Sequence, residues 1–153
     1  LLTRLRVAWL VMNLIFLAWH VPGAYDYALE HENWHIFEHM CFLSASLIFW
    51  WPIVRPWPTS SRSYSWKIIL YLLSADVVNT GLSAFLAFCT RPVYSYYLTE
   101  PNPFHLTALA ELVRVAGSMG VMGSLVFLVP AMYITHKLIK PERARSTYSS
   151  YRV

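Results

Sequence analysis

The chain has 153 residues, 57% hydrophobic and 13% charged, with a mean hydropathy of +0.42 and a net charge of +4. A soluble domain carries about 25% charged residues because its surface faces water. So little charge beside 7 Trp, 10 Tyr and 8 Phe excludes both a disordered chain and a conventional soluble core. The composition is that of an all-α membrane protein.

Four apolar stretches reach or approach the ~20 helical residues that cross roughly 30 Å of hydrocarbon. They cover 5–19, 35–54, 68–89 and 109–134, the first being short. Proline punctuates the gaps: Pro22 before Gly23, Pro52 with Pro56 and Pro58, Pro92, Pro101 with Pro103, and Pro141. The start at Leu1, with no Met, marks a processed chain or a piece of a longer one. No signal peptide is read, because His20, Val21 and Pro22 stand where a small-residue cleavage site would be needed. Residues 1–140 read as one bundle of four transmembrane helices, and 141–153 as a basic cytoplasmic tail.

The basic residues set the orientation. Arg4 and Arg6 precede the first span; Arg55, Arg62 and Lys67 lie between the second and third; Lys137, Lys140, Arg143, Arg145 and Arg152 follow the fourth. Ten of the 12 Lys and Arg therefore fall on one side, leaving Arg91 and Arg114 toward the other with Asp26, Glu30, Glu32 and Glu100. Both termini are expected in the cytoplasm. Because the basic residues flank spans rather than interleave with a polar surface, a nucleic-acid partner is excluded.

Ionisable groups at membrane depth cost ~2.5–3.5 kcal/mol even on the lenient insertion scale, so they are the best functional signal. His20 ends the first span on the outer side, and His35, Glu38 and His39 open the second. Spacing of i, i+3, i+4 puts the last three on one helical face, with the imidazoles one turn apart. Two such histidines can chelate one ion, His20 can supply a third ligand, and Glu38 can hold an imidazole N–H behind it. The bland alternative is interfacial packing, since Trp19, Tyr25, Tyr27 and Trp34 surround them. The string His35-Ile36-Phe37-Glu38-His39 also matches the inverted zinc-protease pattern, without the third ligand or cleft a protease needs. In the third span Asp76 and Asn79 share a face and are expected to be buried in the bundle. Glu111 and Arg114 in the fourth are expected to be buried too, as a self-neutralising pair. Gly117, Gly120 and Gly123 with Ser118 and Ser124 form a helix-packing face. Met40, Met119, Met122, Cys41 and Cys89 offer soft ligands suited to Cu(I), but scattered Met and Cys more often fill cores.

Trp19-His20-Val21-Pro22, then Tyr25-Asp26 with Ala28-Leu29, then His35 with Glu38-His39, and Phe49-Trp50-Trp51-Pro52 together resemble the signature of the CtaG family. Pro92-Val93-Tyr94 and Gly123-Ser124-Leu125-Val126 are similar to later parts of the same pattern. The resemblance covers roughly 7–135 and corresponds to the C-terminal four-helix portion of that family. It implies a non-catalytic assembly factor for caa-type cytochrome c oxidase in the bacterial plasma membrane, one that helps the haem-copper enzyme acquire copper on the outer face. A second reading stays open: an accessory subunit of a respiratory or photosynthetic complex, its histidines structural or axial ligands of a b-type haem.

Overall fold

The computed structural model describes residues 4–54, 65–99 and 106–139. Arg55, Arg62, Glu100, Pro56, Pro58, Pro101, Pro103 and the basic tail 141–153 with Lys140 lie outside the described residues. Among the described residues all regular structure is helical: α1 Leu5–Trp19, α2 Pro22–Glu30, α3 Glu32–Val54, α4 Trp66–Phe88, α5 Tyr96–Thr99 and α6 Ala108–Ile139.

Local chemistry explains the breaks. The residue before a proline is pushed out of the α region, and Val21 is extended at φ −64°, ψ 130°. Helix α1 therefore stops at Trp19, and α2 restarts with Pro22 in its first turn, where a missing N–H costs nothing. The two helix axes differ by 71°. Ser65 caps α4 by accepting from the Lys67 amide at 3.3 Å. At the start of α6 the Thr107 hydroxyl accepts from the Ala110 amide, also at 3.3 Å.

Three helices, α3, α4 and α6, are long and apolar enough to cross a bilayer. The expected first span needs correcting. At ~1.5 Å per residue the 15 residues of α1 cover only about 22 Å, so it makes a fourth crossing only together with the bent-away α2. The presumed loop after it is itself a helix, which the polar residues and the Pro-Gly pair concealed. Helix α3 also begins before residue 35, and α6 runs past 134 to Ile139.

Helix α6 packs along α4, and α3 along α1. One half of the core gathers Phe49, Tyr71, Leu72, Ala75, Phe127 and Ala131, with Trp9 and Trp50 against them. Phe49 stacks on Tyr71 at 4.5 Å between ring centroids and meets Phe127 edge-on at 5.6 Å. The Tyr71 hydroxyl donates to the Phe49 carbonyl at 2.9 Å, so the polar tip of this ring is satisfied inside the bundle. A second core of Leu86, Tyr94, Leu112 and Ala116 sits where α4 ends and α6 begins. The outward faces are apolar as well, with Leu70 67% and Phe88 86% exposed. Such a surface suits acyl chains and would be an aggregation liability in water.

The glycines of α6 divide by purpose. A Cβ on Gly120 would stand 3.0 Å from Cβ of Ser83, and one on Gly123 would collide with the Asn79 amide. A Cβ on Gly117 would meet nothing within 4 Å. Gly123→Val should therefore cost about 1–3 kcal/mol by overpacking, lowering the denaturant midpoint of the micelle-bound protein. Gly117→Ala should leave that midpoint unchanged or raise it, since mid-helix Gly is ~0.8–1.0 kcal/mol worse than Ala. Equal midpoints for both variants would refute the close α4–α6 approach.

Candidate functional site

The histidine end of the bundle is built where α1 gives way to α2 and α3 begins. On α3 the buried positions Glu38, Ala45, Phe49 and Pro52 turn toward the bundle. His35 and His39 lie beside Glu38 at the edge of that face, half-buried and exposed respectively. Their Nε2 atoms stand 3.0 Å apart and their ring centroids 4.5 Å apart. Two neutral imidazoles in this arrangement share one proton, one nitrogen donating and the other accepting. Two ligands at ~2.0–2.1 Å from a common ion stand roughly 2.8–3.4 Å apart for angles between 90° and tetrahedral, so the pair is also spaced to grip a cation in place of that proton.

Glu38 supplies the support behind the pair. Its Oε2 is 3.8 Å from Nδ1 of His35, an ion-pair distance too long for a hydrogen bond. That Nδ1 is buried and has no hydrogen-bond partner. A small inward shift of either side chain would seat the Nδ1–H on the carboxylate, fixing the tautomer that leaves Nε2 free for a ligand.

His20 belongs to a different environment. Its Nδ1 is 2.7 Å from the Phe16 carbonyl, which can only accept, so Nδ1 carries the proton. The ring lies 4.5 Å from that of Phe16, 6.3 Å from Tyr25 and 6.2 Å from Phe42. With Tyr25, Tyr94 and Met119 it lines a gap of about 20 Å³ in the second core. The sequence led us to expect His20, His35 and His39 around one point. The structure pairs only the latter two, and no three His, Cys, Asp or Glu side chains among the described residues are grouped to hold a metal. The chain turns at Val21, and His20 just before it is held by the Phe16 carbonyl and packs among Phe16, Tyr25 and Phe42, against a deeper part of α3 than the His35–His39 pair.

That turn also builds a polar lock that spacing alone did not reveal. The Asp26 carboxylate on α2 accepts from the Ser95 amide at 3.0 Å, the Ser95 hydroxyl at 2.6 Å and the Tyr96 amide at 3.2 Å. It thereby satisfies free N–H groups at the start of α5. Tyr25 stacks on Tyr94 at 4.0 Å and shares a 2.9 Å hydrogen bond with the Tyr97 hydroxyl. The Tyr94 hydroxyl donates to the His20 carbonyl at 3.1 Å. Burial, with Tyr97, Asp26 and Cys89 nearby, pushes the Tyr94 phenol up to about 12. Burial also raises Tyr97, against the opposing effect of its bond to Tyr25. Both hydroxyls therefore stay protonated, Tyr94 as the donor to the His20 carbonyl. The only sequence signal was the pairing of Tyr25-Asp26 with Pro92-Val93-Tyr94 in the family-like pattern, which names the residues without joining them.

The remaining polar residues are placed unevenly. Asn79 is buried and lines a cavity of about 360 Å³ between α1, α4 and α6, its Nδ2 without a hydrogen-bond partner. Asp76 is half-buried rather than buried, at 3.5 Å from the Thr80 hydroxyl, which in turn lies 3.1 Å from that of Ser124. Glu111 is likewise half-buried, and Arg114 is exposed. Burial of these three was overestimated: the face α4 turns inward is made by Leu72, Ala75, Asn79 and Ser83, and that of α6 by Leu112 and Ala116, which leaves Asp76, Glu111 and Arg114 beside those faces rather than on them. The soft ligands do not gather at the His35–His39 pair: Met119 lies by His20 and, with Met122, lines the Asn79 cavity, Met40 is exposed, and Cys89 donates to the Leu86 carbonyl at 3.0 Å. Around the rim Trp19 meets Phe37, and Trp34 meets both Phe37 and Tyr27 edge-on, an aromatic belt of the kind found at bilayer interfaces.

The family model described as cytochrome c oxidase caa3 assembly factor (Caa3_CtaG) matches residues 1–140. No curated protein and no solved structure matches the chain.

Replacing Asp26 by Ala should release the lock without touching the helices. Hydrogen bonds to a charged acceptor contribute about 1.5–3 kcal/mol, so amide exchange at Ser95 and Tyr96 should accelerate roughly tenfold or more. Exchange in the middle of α4 should stay as it was. Unchanged protection at both amides would show that Asp26 does not hold this connection.

Proposed function

We propose that this chain, which belongs to the cytochrome c oxidase caa3 assembly factor (Caa3_CtaG) family, helps a haem-copper oxidase acquire copper through the His35–His39 pair. Membership of the family makes it a multi-pass membrane protein of oxidase assembly. The observation that carries the copper step is the 3.0 Å approach of the two Nε2 atoms, with the Glu38 carboxylate behind one of them.

In this reading copper is cargo. His35 and His39 hold the ion at the rim, where the exposure of His39 lets it arrive from and leave to an aqueous carrier. Glu38 orients His35 and balances charge. An incoming ligand on the oxidase adds to the open side of the pair, and the ion passes by ligand exchange without catalytic turnover.

The same reading sets the orientation. Arg4, Arg6, Lys67 and Lys137 lie at the end of the bundle away from the His35–His39 pair, and Asp26, Glu30 and Glu32 at the end that carries it. The positive-inside rule puts the former in the bacterial cytoplasm, with α1 and α2 completing a fourth span and both termini inside. The histidine pair then faces outward.

Replacing His35 and His39 together by Ala should leave the protein inserted, since insertion rests on the apolar spans and their flanking charges. Oxidase activity should fall, and oxidase purified from the mutant strain should have a lowered copper-to-haem ratio. A normal ratio with normal activity would reject the copper reading.

A further inference from the structure

The basic end of the bundle carries a second chemical site, unrelated to the histidines. A cavity of about 580 Å³ opens there between the first turns of α1 and α4. Arg6 enters it from α1 and Lys67 from α4. Among the described residues neither cation is paired with a carboxylate. Trp9 lines the cavity too, and its Nε1 is buried and has no hydrogen-bond partner. Beyond the cations the wall is mostly apolar, the Ser74 hydroxyl being spent on the Tyr71 carbonyl at 3.1 Å, and Leu10 (50% exposed) and Leu70 (67% exposed) face outward.

Each feature narrows the occupant. Two cations without acidic partners favour an anion. The indole can only donate, and its nitrogen is covered and meets no acceptor in the protein, so an oxygen seated in the cavity would satisfy it once the ring turns slightly toward that space. A small free anion would use the cations and the indole but leave the leucine walls bare. A hydrocarbon chain would cover the leucines but leave the donors unanswered. A molecule with an anionic oxygen-rich head and an apolar tail answers both sets. The position, one turn inside the basic flank of the membrane spans, is where anionic headgroups lie and where basic pockets between helices meet them.

We propose that this cavity seats the phosphodiester headgroup of an anionic phospholipid. Arg6 and Lys67 bind the phosphate, the Trp9 ring turns toward the headgroup so that its N–H donates to one of the oxygens, and an acyl chain runs over Leu10 and Leu70. The lipid then bridges α1 and α4 at the end of the bundle farthest from the Asp26 lock. This site depends on the membrane reading alone, so it stands or falls separately from copper transfer.

The test uses the intact chain in a neutral detergent, titrated with short-chain phosphatidylglycerol, with phosphatidylcholine of equal chain length, and with inorganic phosphate. Phosphorus NMR reports the headgroup directly. The expected result is one saturable, shifted phosphatidylglycerol resonance, little response to phosphatidylcholine, and no competition from inorganic phosphate at equal concentration. Trp9→Phe keeps the charges and the ring packing and removes one N–H. It should weaken phosphatidylglycerol binding roughly tenfold, the scale of a hydrogen bond to a charged group. Arg6→Gln with Lys67→Gln should abolish the preference for the anionic lipid. Equal binding of the two lipids by the native chain, or an unaltered affinity in Trp9→Phe, would overturn the proposal. Displacement of the lipid by inorganic phosphate would assign the cavity to a free anion instead and overturn it too.

Discussion

The arrangement of the histidine end depends on one short constraint, the Val21–Pro22 step. Proline forces its predecessor into extended backbone, and α1 ends there whatever the residues beyond would prefer. The chain leaves at 71° and re-forms as α2, which packs against α3 and α5. Only from that position can Asp26 reach the start of α5 and Tyr25 stack on Tyr94. Those contacts tie the α4–α6 connection to the α1–α3 half of the molecule. Inside a bilayer, where helix faces meet lipid as readily as each other, such polar ties do much to hold the halves in register.

Small residues play the complementary part further down. Gly120 and Gly123 let α6 approach α4 closely enough that Ser83 and Asn79 sit in the contact rather than beside it. Ser83 answers its hydroxyl by donating to the Asn79 carbonyl at 2.8 Å. Asn13, across the cavity on α1, donates to the Trp9 carbonyl at the same 2.8 Å. These polar groups are thus handled mostly within their own helices, which keeps the middle of the bundle apolar and reserves its chemistry for the two ends.

The two ends differ in kind. At one, His35 shares a proton with His39 and Tyr25 shares one with Tyr97, beside the Glu38 carboxylate. At the other, Arg6, Lys67 and an unpaired indole suit an anion that stays. Met119 touches both the gap beside His20 and the cavity lined by Asn79, so the interior below the histidines is continuous in packing though not in function.

How much could be read without coordinates depends on the range of each interaction. Composition and apolar run length gave the membrane class, the helical class and the positions of α3, α4 and α6, because a bilayer imposes length and polarity on every segment that crosses it. The i, i+4 pairing of His35 with His39 was equally legible, since one turn of one helix sets it. His20 was not: its direction depends on the bend after Trp19, and a bend angle is not encoded in spacing. The Asp26–Ser95 contact and the Arg6–Trp9–Lys67 cavity join residues about 60 to 70 positions apart. The burial of Asp76, Glu111 and Arg114 was misjudged because the cost of a polar group in the membrane says that it must find a partner, not where. Periodicity determined which residues share a face; only the packing of one helix on another decided what each face would meet.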